Sequence, residues 1–225
     1  MLYRFIKRLE DILFSLIIMI VFYPILFIVA IILVIYEGFP IFYISKRMVN
    51  KNKEIRIFKF RTMIKDAKDE KYQLEKRYMK DGYLDIPLNS EVYTKVGLFL
   101  EKTQFVELPQ LIPILFGYLS FVGNRPLPKD NIKILMKKFP DNWHKRFDSP
   151  AGLTGISQVV GKFNLSPEQR LELESLYSEV YRKGNILKAD AYIFLSTILF
   201  LLFNNVGAYR SFKSAKSMLI SCLKK

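Results

Sequence analysis

Twenty-five consecutive residues, Ile12 to Tyr36, carry no charge. As a helix the run would measure roughly 37 Å, enough for a hydrocarbon core of ~30 Å. A secretory signal fits poorly, since its apolar region runs to about 15 residues and ends at a small-residue cleavage site. Pro24 stands at the centre of the run, twelve uncharged residues from either end. A mid-helix proline removes a backbone hydrogen bond, crowds the preceding turn and kinks the helix. Both flanks are basic: Arg4, Lys7 and Arg8 before the run, and Lys46, Arg47, Lys51, Lys53, Arg56, Lys59 and Arg61 after it. Basic flanks stay on the cytoplasmic side. A straight span must export one set, whereas a helix that enters, bends at Pro24 and returns exports neither. The residues alone leave both forms open, and both place everything after Glu37 in the cytoplasm. Lys7 and Arg8 are expected at the membrane surface, where long basic side chains snorkel.

The rest of the chain has the makings of a packed body. Its 225 residues allow one domain plus a membrane element. With 51% hydrophobic and 15% aromatic residues, disorder is excluded. A single cysteine, Cys222, excludes a disulfide framework. A lone histidine, His144, argues against a His-based zinc site. The net charge of +14 suits anionic lipid, nucleic acid or phosphorylated ligands. No nucleic-acid-binding motif is legible, and the apolar run puts anionic membrane lipid first.

Ile41–Ile44 and Ile55–Phe58 read as strands around the polar turn Asn50–Lys53, a small β-hairpin. Residues 64–82 are highly charged and read as a solvated helix or ordered loop. A helix fits Glu91–Lys102, with Val92, Val96 and Phe99 on one face. Val106–Phe116 is apolar, with Pro109 as a first helical residue, Pro113 bending the helix and Gly117 capping it. A further helix starts near Asp130 and stops at Pro140. Ser166-Pro167-Glu168-Gln169 is a capping box. Ala191–Phe203 is too short to span and suits a buried or membrane-surface helix. The fold expected is α+β and mostly helical, with amphipathic membrane-surface helices. Residues 1–37 form the membrane element, 38–203 the cytoplasmic domain and 204–225 a basic tail able to lie on anionic lipid.

Five short blocks, in order, carry a resemblance. Lys7-Arg8-Leu9-Glu10-Asp11 precedes the apolar run and its Pro24. Lys59-Phe60-Arg61-Thr62-Met63 follows the hairpin. Then come Glu107-Leu108-Pro109-Gln110-Leu111, Ser120-Phe121-Val122-Gly123-Asn124-Arg125-Pro126 and Gly152-Leu153-Thr154-Gly155-Ile156-Ser157-Gln158-Val159. The order resembles the bacterial sugar transferase family, the monotopic polyprenyl-phosphate phosphoglycosyl transferases, from about Lys7 to about Leu202. The resemblance implies a re-entrant helix bent near a proline. It implies a Mg²⁺-dependent enzyme at the cytoplasmic face of the bacterial inner membrane. Such an enzyme moves a sugar-1-phosphate from a nucleotide diphosphosugar, usually a UDP-sugar, to undecaprenyl phosphate, starting glycan assembly beside downstream glycosyltransferases. The family's nucleophile is an aspartate followed at once by a metal-holding glutamate.

On that resemblance, Glu107 is the metal ligand and candidate catalytic carboxylate. Lys59, Arg61, Thr62, Arg125 and Gln158 hold substrate phosphate or nucleotide, with Thr154 nearby on the late loop. The nucleophile's own position is Val106, which cannot form an acyl phosphate. The chain departs from the pattern elsewhere too. The usual basic residue five positions before the aspartate is Glu101. The acidic residue after Gly117 is Tyr118, the first proline of Gly-Pro-Arg-Pro is Asn124, and the arginine and glycine of the late loop are Ser149 and Ala151. A basic residue of the following segment matches at Lys162. Three readings compete. In one, Glu107 takes the nucleophile's role or the lipid phosphate displaces directly; in another, the chain binds nucleotide sugar or polyprenyl phosphate as a scaffold without catalysis; in the last, it is a decayed copy.

Overall fold

The computed structural model describes residues 2–67, 69–80, 83–161, 165–203 and 210–224, the side chains of Lys80, Tyr83 and Phe203 excepted. The apolar run lies within one helix, α1 (Leu2–Glu37), which continues through Pro24. One stripe of α1 meets the rest of the chain along its whole length. Lys7, Asp11 and Ser15 are buried, Ile18 and Phe22 pack next, and Leu26, Val29, Leu33 and Glu37 complete the stripe. These positions recur every three or four residues, the spacing of one helix face. The opposite face, including Phe5, Leu13, Ile17, Ile20, Phe27, Ile31 and Ile35, is exposed and apolar.

Polar contacts fasten α1 at both ends. Near its start, Lys7 is 4% exposed, pairs with Asp190 and donates to the Val122 carbonyl at 2.9 Å. Tyr177 donates to the same Asp190 at 2.7 Å. Asp11 accepts from the Phe121 amide at 2.7 Å and the Ser120 hydroxyl at 3.0 Å. Arg8 donates to the carbonyls of Ile114 and Leu115. These contacts correct the expectation that Lys7 and Arg8 snorkel to the membrane surface. Lys7 is buried, and both side chains find fixed acceptors inside the protein. At the far end, Arg61 donates to the carbonyls of Glu37 and Gly38 at 2.7 and 2.8 Å. A cation there offsets the negative end of the helix dipole and satisfies carbonyls the helix leaves open.

The hairpin forms as read, slightly longer: β1 (Phe42–Met48) pairs antiparallel with β2 (Glu54–Phe60), Tyr43 opposite Lys59 and Arg47 opposite Ile55. The charged segment after it holds a short helix, α2 (Leu74–Tyr78), and a two-residue pairing of β3 (Met79–Lys80) with β4 (Tyr83–Leu84). Helix α3 (Lys95–Thr103) starts on the Thr94 cap, four residues later than the pattern suggests. A tight 3₁₀ segment, Phe105–Gln110, leads into α4 (Leu111–Leu115), and Gly117 follows with a positive φ.

A short parallel pair then forms, β5 (Ser120–Val122) with β6 (Gly152–Thr154), with α5 (Lys129–Lys138) between them in sequence. The approach is very close. A Cβ on Gly152 would lie 2.1 Å from the Gly123 nitrogen, and one on Gly155 2.1 Å from the Gly123 oxygen. After α6 (Ile156–Val159) come α7 (Pro167–Lys183), capped by the expected box at Ser166, and α8 (Ile186–Phe203). The region assigned as a basic tail is not a free appendage where it is described. Phe212–Leu223 forms α9, and Ala215, Leu219 and Cys222 enter the largest core cluster with Leu173, Tyr177, Val180 and Ile193. Its apolar face outweighs its lysines. Residues 204–209, like Lys162, lie outside the described residues.

Asp190→Asn leaves the buried Lys7 without its counter-charge. We expect a loss of about 3–5 kcal/mol, the cost of breaking a buried pair, read as a lower unfolding midpoint of the detergent-solubilised protein. Lys7→Met in the same background restores part of that loss.

Candidate active site

The site starts from strand alternation. Successive side chains on a strand face opposite ways, so the cross-strand register puts Tyr43, Ser45, Arg47, Ile57 and Lys59 on one face of the hairpin. The Phe105–Gln110 segment packs against this hairpin and carries Glu107. Lys59 Nζ donates to Glu107 Oε1 at 2.6 Å. Arg125, on the turn after β5, donates Nη2 to the same oxygen at 3.0 Å. The Arg125 carbonyl is itself held by Arg146 Nη2 at 2.7 Å. Arg146 forms a buried pair with Glu174, 2.9 Å apart.

Asn124, just before Arg125, ties this turn to the body. Its amide nitrogen reaches the carbonyls of Arg146 and Glu174 at 2.8 and 3.0 Å and the hydroxyls of Ser149 and Ser178 at 3.2 and 3.0 Å. Asn124 also bridges in parallel to Ala151. Three positions that depart from the family pattern, 124, 149 and 151, therefore meet in one place.

Electrostatics follow from this packing. Burial alone would raise the Glu107 carboxyl, but Arg125 and then Lys59 outweigh it and hold Glu107 well below the usual carboxylate range. Glu107 in turn raises Arg125. Lys59 is lowered, first by burial, with Glu107 pulling back and Arg125 pushing further down. Arg47 is lowered by burial and then by repulsion from Arg125. Its guanidinium makes no hydrogen bond or ion pair with the described side chains, while its backbone lies in the hairpin ladder opposite Ile55. Three cations thus surround one bridging carboxylate, a field suited to a further anion. In the sequence Arg47 stands out only as part of a basic flank. The period-two alternation of the hairpin was the signal that places it with Lys59.

Glu101 also belongs here. A Cβ on Gly97 would lie 1.9 Å from the Thr62 carbonyl, so only glycine lets α3 close onto the end of β2. That contact brings Glu101 Oε1 within 3.0 Å of the Thr62 hydroxyl. The charge of Glu101 acts on Lys59 and Arg125. Burial, then Glu101, pushes Tyr93 up to about 12.

The structure brings Glu107, Lys59 and Arg125 together, with Thr62 joined through Glu101. It does not bring in Arg61, whose hydrogen bonds go to the end of α1. Gln158 donates to the Leu153 carbonyl at 2.8 Å and Thr154 pairs with Thr197 at 2.7 Å, so both serve the late loop and α8. Val106 is 3% exposed and packs with Val29, Leu33, Phe60 and Leu100. Its position points into the apolar seam between α1 and the body.

A long apolar helix fastened along a small α+β body, with a cation-rich cluster around one carboxylate in that body, defines a membrane-associated protein equipped to hold anions. The chain belongs to the bacterial sugar transferase family, whose model matches residues 2–204. It is 30% identical over 204 residues to the UDP-glucose:undecaprenyl-phosphate glucose-1-phosphate transferase of Klebsiella pneumoniae, covering 90% of this chain and 41% of the relative. To the UDP-N-acetylgalactosamine-undecaprenyl-phosphate N-acetylgalactosaminephosphotransferase of Aeromonas hydrophila it is 27% identical over 202 residues, covering 89% and 44%. To the undecaprenyl-phosphate galactose phosphotransferase of Salmonella typhimurium it is 31% identical over 181 residues, covering 77% and 36%. The chain spans less than half the length of these three relatives.

The lowered Glu107 has a pH consequence. A depressed carboxyl contributes stability above its unfolded value, and that contribution fades as pH falls through the ordinary range toward the folded one. The melting midpoint of the wild type should exceed that of Glu107→Gln at neutral pH. The gap should narrow as pH is taken below the ordinary value of 4.5, measured by thermal unfolding across the series.

Proposed function

We propose that this chain transfers a sugar-1-phosphate from a UDP-sugar to undecaprenyl phosphate at the cytoplasmic face of the bacterial inner membrane. The observation that carries this reading is the sharing of one Glu107 oxygen by Lys59 and Arg125, with the unpaired Arg47 beside them. A diphosphate and an attacking anion repel each other, so catalysis needs fixed cations where charge gathers. Arg125 offers a planar fork and Lys59 a compact charge, and both suit phosphate oxygens. Glu107 Oε1 gathers the two cations at one point before the donor arrives, which keeps their reorganisation small.

Mg²⁺ fits this site in a limited way. No group of three or more His, Cys, Asp or Glu able to hold a metal occurs among the described residues. Glu107 engages its cations through Oε1, and Oε2 has no hydrogen-bond partner among the described residues. One carboxylate oxygen with substrate phosphates and water is a usual Mg²⁺ environment. Glu107 is the residue that would hold it. When bound, the ion neutralises charge on the diphosphate.

The placement of α1 supports a re-entrant helix. Its two ends are fastened to the same body, through Lys7 and Asp11 at one end and Glu37 at the other, as a helix that enters and leaves on one side of the bilayer requires. The exposed apolar face of α1 and the exposed Ile112 and Phe116 of the α4 region would enter the lipid. Lys53, over the Tyr118 ring at 4.7 Å, would meet anionic headgroups at that edge.

Purified protein incubated with Mg²⁺, undecaprenyl phosphate and a panel of UDP-glucose, UDP-galactose and UDP-N-acetylgalactosamine should release UMP. Glu107→Gln should lower the rate by about 100-fold or more, the scale for losing a preorganised electrostatic group. No release above that variant would end the catalytic reading for the panel and leave a binder. For topology, cysteines replace Phe5 and Tyr36 singly, in a chain whose Cys222 is first changed to serine. An impermeant thiol reagent should label neither in intact cells and both after permeabilisation. Labelling of one site only from outside would refute the re-entrant placement.

A further inference from the structure

The family's nucleophile position is filled by a buried valine, so a transferase built on this chain needs its reacting carboxylate elsewhere. Val106 cannot be replaced in that role by a rotation, because it packs among Val29, Leu33, Phe60 and Leu100. Glu107 is in the cleft, but Oε1 already accepts from Lys59 and Arg125. An oxygen bound by two cations has its lone pairs engaged and attacks poorly, and the other oxygen shares the same withdrawn charge. Glu37 lies at the end of α1, where it pairs with Arg61 at 3.8 Å. Glu101 differs from all of these. It is half-buried, it accepts a single hydrogen bond from the neutral Thr62 hydroxyl at 3.0 Å, and its second oxygen has no hydrogen-bond partner among the described residues. Its charge also acts on Lys59 and Arg125, the two groups placed to hold the diphosphate, more weakly than that of Glu107.

We infer that Glu101 is the carboxylate that receives the phosphosugar. The inference rests on the transfer reaction proposed above. In the first step a Glu101 carboxylate oxygen bonds to the phosphorus that bears the sugar. The bond from that phosphorus to the bridging oxygen breaks, and the bridging oxygen leaves with the electron pair as UMP. In the second step an oxygen of undecaprenyl phosphate bonds to the same phosphorus, and the Glu101 carboxylate leaves unchanged. No oxidant or further reactant enters, and one diphosphate linkage is exchanged for another. Thr62 is a positioning residue: its hydroxyl holds one Glu101 oxygen and leaves the other to attack. A covalent intermediate divides a transfer between two bulky anions into two shorter steps. Glu107 keeps the cations in place throughout.

The wild type is mixed with Mg²⁺ and each UDP-sugar of the panel without lipid, and hydroxylamine is added to convert any acyl phosphate into a stable glutamyl hydroxamate. Trypsin cleaves after Lys102 and so separates Glu101 from Glu107, and mass spectrometry then locates the modified residue. The expected result is a hydroxamate on the peptide Val96–Lys102, dependent on the sugar nucleotide and absent from Glu101→Gln. With lipid present, Glu101→Gln should lower UMP release by more than about 100-fold. A hydroxamate on the peptide beginning at Thr103 would overturn the assignment of Glu101 while the transfer reaction stands. UMP release that requires lipid, with no hydroxamate on either peptide, would also overturn it, in favour of direct displacement. No UMP release under any condition would overturn both the assignment and the proposed reaction.

Discussion

The structure depends on how a 36-residue apolar helix is tied to the body beside it. Hydrophobic contact alone would hold α1 loosely in a lipid setting, because lipid tails are as apolar as the side chains it buries. Directional contacts are what fix it. At one end, Lys7, Asp11 and Asp190 form a buried charged group satisfied by Tyr177, Ser120 and two backbone groups. At the other, Arg61 caps the last turn. Breaking either end leaves charged or polar groups buried without partners, which is expensive. The helix is thereby held in register against the hairpin and the 3₁₀ segment, and the cleft has a fixed place relative to the apolar surface.

That register is also what assembles the cleft. Lys59 and Arg61 are two residues apart at the end of β2, yet they do different work. Lys59 meets Glu107, while Arg61 meets the end of α1. The same short segment therefore connects the helix to the charged centre. On the far side, Arg125 is aimed by Arg146, whose charge is balanced by Glu174 in the core. The cations are held from behind by polar contacts rather than by a metal cage. Such a cleft suits a phosphate ligand that arrives with its own charge.

Much of this was legible in the residues, and the reasons for the rest are physical. The apolar run, the hairpin and the Ser166 capping box follow from periodicity and turn chemistry, whereas Lys59, Glu107 and Arg125 stand out only through the resemblance to the family. The destinations of Lys7, Arg8 and Arg61 did not follow. A basic residue beside an apolar run looks the same whether it reaches for water or for a carbonyl 100 or more residues away, and only tertiary contact separates the two. Arg61 shares its motif with Lys59, and motif membership says nothing about which way each side chain turns. Glu101 looked like the loss of a basic residue, because its closeness to Thr62 depends on the Gly97 contact across 35 residues of sequence. The C-terminal helix hid behind its lysines, since three buried residues spaced along one face were enough to dock it.

The junction around Asn124 has a consequence for how this chain can change. Asn124, Ser149 and Ala151 are each unlike the family pattern, and Asn124 touches both of the others. A proline at 124 would remove the amide that reaches Ser149 and Ser178, and a larger side chain at 149 would have to enter the space those hydroxyls share. A change at 124 or at 149 therefore strips contacts from the other, while the backbone bridge ties Ala151 to the same spot. The turn that carries Arg125 is thus coupled to the late loop, and a substitution on one side is transmitted to the other.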